Sequence, residues 1–180
     1  REYSVCIALD TSLSMSGHLA GAMHETAICL IAALLRVGIE TFSIVTFGSQ
    51  CTIIKSEDEP FSSAVKWTFM NYLHEKRDQL SMDAGTVATC LNLLGSRGQK
   101  TLYILTDGYG TSGQLMPLVL DQARKRCVDV IGLAVGLDRM NVHRAYQRYV
   151  IAARPCDVPD GLRALYLEEN AGDVDFERDE

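Results

Sequence analysis

Apolar and polar positions fall in blocks along the chain. Residues 3–10, YSVCIALD, are an apolar run ending in Asp10, which predicts a strand buried on both faces. From about 18 to 37, apolar residues recur at helical spacing (Leu19, Met23, Ala27, Leu30, Ile31, Leu34) until Gly38, which predicts a helix. TFSIVTFG (41–48) reads as a second strand, and CTIIK (51–55) as its antiparallel hairpin partner. SEDEP (56–60) is a loop, and one or two short helices are expected within 61–80. GTVATCLNLLG (85–95) predicts a short helix with Thr86 at its start, and KTLYILTDG (100–108) a buried strand ending in Asp-Gly. Residues 113–127 read as a helix with Pro117 in its first turns. VDVIGLAVG (128–136) is a fully apolar strand, 141–149 a short helix, 150–154 an edge strand and 159–169 a terminal helix.

Strands alternate with helices, so the expected architecture is a three-layer α/β fold around a mostly parallel sheet. Ligands of such sheets bind beyond the carboxyl ends of the strands, where the strand order reverses. DTSLS follows the first strand and TDG the fourth, so the polar clusters fall at that end. No repeat and no interdomain linker interrupts the pattern. Residues 1–170 read as one domain, with 171–180 an acidic tail or the start of a linker. The first strand begins almost at residue 1 without a signal-peptide pattern, and no apolar run reads as long enough to span a bilayer. The expectation is a domain excised from a larger protein or matured from one.

Charge changes little. Residues 168–180 alone carry a net −6, which equals the charge of the whole chain, so the remainder is neutral. It offers no basic field for nucleic acid. Six cysteines are widely spaced without a C-x-x-C pair, most of them in apolar segments. They read as reduced thiols packed in the core. With no N-x-[ST] sequon, this favours an intracellular compartment, cytoplasmic or nuclear.

Several chemistries can be weighed at the polar clusters. GSRGQKT (95–101) lacks the Gly before Lys and leads into a strand, so it is not a phosphate-binding loop. No G-x-S-x-G nucleophile elbow occurs. Asp10 as a phosphoryl acceptor would need a second Asp two residues on, where Ser12 stands. The four histidines lack zinc-site spacing. A hard-cation site remains. Asp10, Ser12 and Ser14 alternate along one loop, Thr86 follows DAG, and Asp107 ends the neighbouring strand. Oxygen ligands of low formal charge suit Mg²⁺, or Mn²⁺ in its place. The other reading of DTSLSMSG is a Ser-rich loop that caps the following helix.

DTSLSMSG, AGT and TDG, in this order, resemble the von Willebrand factor A (vWA) domain and its metal-ion-dependent adhesion site (MIDAS). The similarity spans about residues 3–170. It implies a Rossmann-like vWA fold: a six-stranded, mostly parallel sheet with one antiparallel edge strand and helices on both faces. By that resemblance Ser12 and Ser14 bind the metal directly, Asp10 and Asp107 directly or through water, and Thr86 alternates between the two. The implied cofactor is Mg²⁺, with Mn²⁺ or Ca²⁺ as substitutes. The implied ligand is a partner protein's Asp or Glu side chain, and no catalysis is expected. Met15, His18, Asp83, Gly85, Gly108 and Tyr109 are expected at the partner-binding rim. Asp83 departs from the family's glycine run. TFGS and GLAVGLD look similar to intracellular vWA domains joined to AAA+ ATPases (midasin-like). The alternative function is therefore a structural or regulatory part of such an ATPase, in cis or in trans, with the metal used for internal docking.

Overall fold

A computed structural model describes residues 2–75, 81–96, 98–109, 114–136 and 142–167. Six strands form one sheet: β1 (Tyr3–Asp10), β2 (Phe42–Phe47), β3 (Cys51–Lys55), β4 (Gln99–Leu105), β5 (Val128–Val135) and β6 (Arg148–Ala152), in the order β3-β2-β1-β4-β5-β6. β2 and β3 pair antiparallel, and every other pairing is parallel. The strand order therefore reverses between β1 and β4, and their carboxyl ends frame the crevice where such sheets bind ligands.

The helices are α1 (His18–Arg36), α2 (Ser63–Glu75), α3 (Asp83–Leu93), α4 (Met116–Lys125), α5 (Val142–Ala145) and α6 (Val158–Leu167). Successive side chains of a strand point to opposite faces, and β1 supplies both cores this way. Val5, Ile7 and Leu9 pack with α1, with Phe69 of α2 and with Leu165 of α6. Cys6 and Ala8 pack with Val87, Cys90 and Leu91 of α3, Ala123 of α4 and Val142 of α5. The expected three layers are thus present, with helices on both faces of a six-stranded mixed sheet.

Several boundaries move. α3 starts at Asp83, not 85, so Thr86 lies a turn inside the helix instead of opening it. β4 ends at Leu105, which leaves Thr106 and Asp107 in the loop beyond. The helix expected over 141–149 is only Val142–Ala145. Arg148 and Tyr149 are drawn into β6 by pairing with Ile131 and Gly132. α4 begins at Met116, with Pro117 in its first turn. Residues 76–80, 113, 141 and 168–180, the acidic tail among them, lie outside the described residues.

Two expectations are corrected by composition at the surface. Cys6 and Cys90 are buried and Cys51 is half-buried, but Cys29, Cys127 and Cys156 are exposed. Cys29 sits on the outer side of α1, and Cys127 in the turn after α4 with φ 53°. α1 is long and apolar enough by composition alone to cross a membrane, contrary to the sequence reading. Its apolarity has a local cause, since Leu19, Met23, Ala27, Leu30, Ile31 and Leu34 are buried in the core.

One tight helix–sheet contact is at Gly132 of β5. A Cβ there would lie 2.6 Å from Val142 Cγ2 and 2.7 Å from Tyr146 Cδ2. Gly132→Ala is therefore expected to destabilise the fold by about 1–3 kcal/mol through overpacking. Urea denaturation at equilibrium measures it, and unchanged stability would refute the close approach.

Candidate metal centre

The carboxyl end of β1 delivers Asp10 into a fully buried position, 0% exposed. One oxygen, Oδ1, accepts the Ser12 backbone N–H at 2.8 Å, which folds the serine loop back on the strand. The other, Oδ2, accepts the Thr106 hydroxyl at 2.7 Å and the Ser81 hydroxyl at 3.1 Å. Asp10 thereby ties the loops after β1 and β4 to the segment leading into α3. Thr11 adds a fourth anchor, donating its N–H and its hydroxyl to the Phe47 carbonyl at the end of β2.

The serine loop is a 3-10 turn at Leu13–Met15. It sets the hydroxyls of buried Ser12 and exposed Ser14 3.0 Å apart. No capping hydrogen bond runs from Ser12 to the turn, and α1 is preceded by Gly17 without a side-chain cap. The helix-capping role considered for this loop is thus absent at the two positions where it would act, and both hydroxyls face each other instead. Beyond β4, Asp107 is buried and its Oδ1 accepts the Tyr109 N–H at 3.0 Å. Gly108 takes φ 76° to make that turn, a conformation that suits glycine. Its N–H donates to the Thr106 hydroxyl at 3.1 Å.

Thr86 is buried, and its hydroxyl donates to the Met82 carbonyl at 3.0 Å, back along its own helix. Among the described residues no hydrogen bond ties it to Asp10, Ser12, Ser14 or Asp107. The lone pairs of a donating hydroxyl stay free to accept. Met82 is itself anchored, its N–H donating to the Gly48 carbonyl after β2.

Two residues of this network were not anticipated. Ser81 bridges Asp10 and Asp83, its hydroxyl lying within hydrogen-bond distance of both carboxyl groups. Thr106 completes the shell of Asp10. Neither has a spacing signal. Thr106 stood inside the TDG triplet as a neighbour of Asp107, and Ser81 precedes Asp83 by two residues.

The expected rim divides in two. His18, Gly85 and Tyr109 are exposed and Gly108 is half-buried. Met15 and Asp83 are not rim residues, being 3% and 2% exposed. The 3-10 turn points Met15 into the core beside Met23, and Asp83 turns inward to Ser81. Leu13 and Met82 are exposed in their place, 56% and 47%.

The electrostatics of the cluster are one-sided. Burial pushes the Asp83 carboxyl up to about 7, and the charges of Asp10 and Asp107 add to it against the Ser81 hydrogen bond. Asp10 is raised as well, first by burial and also by Asp107, with the hydrogen bonds from Ser12 and Thr106 opposing. Among the described residues none of the three carboxylates is in a salt bridge. Nor is any group of three or more His, Cys, Asp and Glu placed to hold a metal. A cation here would depend on serine and threonine oxygens beside carboxylates. That donor set fits a hard divalent ion, and repelling carboxylates without a basic partner favour one.

No protein-family model and no curated protein matches the sequence. Solved structures do share its fold. Proximal thread matrix protein 1 from the mussel byssus superposes with a TM-score of 0.66 at 13% identity, covering 92% of this chain and 45% of its own. In another of its structures, with the same scores, the MIDAS motif is occupied by zinc. The pilus adhesin SpaC of Lactobacillus rhamnosus GG, in its open conformation, superposes with a TM-score of 0.70 at 10% identity, covering 90% of this chain and 30% of its own. The chain thus spans less than half the length of each. The architecture, a mostly parallel sheet with one antiparallel strand between two helical layers, is the vWA-like fold of these neighbours.

Proposed function

We propose that this domain is a non-enzymatic, Mg²⁺-dependent protein-interaction module whose metal takes one carboxylate from a partner protein. The observation that carries this reading is the convergence at the β1/β4 switch point. There Asp10, Asp107 and the paired hydroxyls of Ser12 and Ser14 meet, and among the described residues no salt bridge offsets the carboxylates. The fold neighbours support it in kind. One carries a metal-occupied MIDAS and another is an adhesin.

In this reading Ser12, Ser14, Asp10, Asp107 and Thr86 would hold the ion. When bound, the ion supplies positive charge that attracts an acidic side chain. The chain's own residues do the positioning. Asp10 fixes the serine loop through the Ser12 N–H, and Thr106 and Ser81 fix Asp10. The hydroxyl ligands bring no charge, so the ion keeps an attraction for an outside carboxylate, and such a charged contact is short and directional.

Cation binding to the folded chain alone should stabilise it. At a hundredfold excess over Kd, Mg²⁺ or Mn²⁺ adds about 2.7 kcal/mol, which raises Tm by about 5–10 °C in a chain of this size. Thermal denaturation with and without EDTA measures this. The shift should vanish in a Ser12→Ala, Ser14→Ala double variant that keeps the native circular dichroism. A wild-type protein whose Tm ignores both cations would overturn the proposal and leave a structural domain.

The carboxylates give the metal-free protein a pH signature. With Asp83 at about 7 when folded and 3.8 when unfolded, the folded chain holds a proton between those values that the unfolded chain has lost. Its stability contribution is therefore greatest at acid pH, declines as pH rises through that window, and is level above it. Relative to Asp83→Asn, the wild type in EDTA should lose on the order of 2 kcal/mol between pH 5 and pH 8 by urea denaturation. A constant difference would contradict the burial of an ionisable Asp83.

A further inference from the structure

Helix α1 has two apolar faces, and the core uses one. Opposite the buried side lie Gly21, Glu25, Ile28, Cys29, Ala32 and Arg36, all exposed. At about 100° per residue these six fall within an arc of about 100°. An outer helix face ordinarily carries polar and charged residues along its length. Here two charges, Glu25 and Arg36, flank Ile28, Cys29 and Ala32, with Gly21 and His18 of the same arc toward the helix start. Ile28 is 45% exposed and Leu35, on the flank, 38%. Among the described residues neither Glu25 nor Arg36 is in a salt bridge.

We infer that this face of α1 docks, antiparallel, against the same face of a second copy of the chain. The argument is charge complementarity under a two-fold rotation. Glu25 and Arg36 are equidistant from a point midway between Cys29 and Ala32. A two-fold axis through that point sets Glu25 beside the partner's Arg36 and Arg36 beside the partner's Glu25. The same rotation sets Cys29 level with the partner's Ala32 and Ile28 level with the partner's Ala33, larger side chains against small exposed ones, and the reverse, as ridge-into-groove packing requires. A parallel pair would instead set Glu25 against Glu25. The arrangement is self-complementary, so it closes at two copies.

The contact is small. α1 is about 28 Å long by its 19 residues, and a single helix pair buries less than the roughly 1,200 Å² of a stable interface. The dimer is therefore transient and forms at high local concentration. α1 starts directly after the serine loop, so antiparallel helices put the two candidate metal centres at opposite ends of the pair. Such a dimer bridges two partners instead of gripping one twice.

Sedimentation velocity on the chain, from micromolar to millimolar, tests the inference on wild type, Glu25→Arg, Arg36→Glu and the double charge swap, each checked by circular dichroism. The expected result is reversible dimerisation that each single swap weakens about tenfold and the double swap restores. Mild oxidation in a Cys127→Ser, Cys156→Ser background should trap a disulfide dimer through Cys29, and further replacement of Cys29 should abolish it. A wild type that stays monomeric to millimolar concentration overturns the inference. So does a dimer indifferent to the single swaps, or one that the double swap fails to restore.

Discussion

The arrangement of the loops depends on one buried carboxylate. Asp10 is fully enclosed, and leaving its oxygens unmatched would cost several kcal/mol. Three donors prevent that: the Ser12 N–H, the Thr106 hydroxyl and the Ser81 hydroxyl. They come from three separate stretches of chain, so meeting the needs of Asp10 also assembles the site. The Ser12 N–H bond turns the serine loop, which brings the Ser12 and Ser14 hydroxyls together. The Ser81 bond holds the entrance to α3. Removing Asp10 would release all three at once.

Much of this was legible in the sequence, for reasons that can be named. β1, β4 and β5 are buried on both faces over most of their length and read as apolar runs, with Gln99, Lys100 and Asp129 breaking the pattern near the starts of β4 and β5. Asp10, Ser12, Ser14 and Asp107 sit at strand ends, where a polar residue after an apolar run is conspicuous. Less legible was whatever depends on side-chain direction. Met15 and Asp83 have the right address for a rim and the wrong orientation, since one falls in a 3-10 turn and the other in the first turn of α3. Ser81 and Thr106 were silent because a hydroxyl that buttresses a carboxylate needs no particular spacing from it. The start of α3 was misplaced by two residues because Asp83 and Ala84 show no apolar period. That shift in turn moved Thr86 from helix start to helix interior.

The acidic residues of the cluster pull in opposite directions. Folding brings Asp10, Asp83 and Asp107 together, so that burial and the charge of Asp107 raise the proton affinity of Asp10, and burial and the charges of Asp10 and Asp107 raise that of Asp83. Hydrogen bonds from Ser12, Ser81 and Thr106 lower it again, but hydroxyls and an amide do not cancel net charge. A site assembled only for stability would gain from an Arg or a Lys here, and among the described residues none forms a salt bridge with the cluster. Lys55, the one buried lysine among the described residues, is spent elsewhere, donating to the carbonyls of Phe42, Ser56 and Glu57 at the sheet edge. On the proposed reading, the residual repulsion is the cost of keeping a place for a cation.

The surface around that place is partly apolar. Leu13, Met82 and Tyr109 are exposed on the three loops that carry the serines, Asp83 and Asp107. Apolar area left at the mouth of a charged site weakens solvation when a partner covers it. A covered ion–carboxylate contact then acts in a medium of lower dielectric, where Coulomb attraction is several-fold stronger than in bulk water. Leu13 and Met82 would add buried area to the same event, at about 25 cal/mol for each Å² removed from water. The polar centre gives direction and the apolar border excludes water. A carboxylate in free solution, which covers neither Leu13 nor Met82, would gain only the screened part of the attraction. On the proposed reading, affinity therefore belongs to a protein surface with apolar residues around its acidic side chain, and a small free acid is a poor ligand.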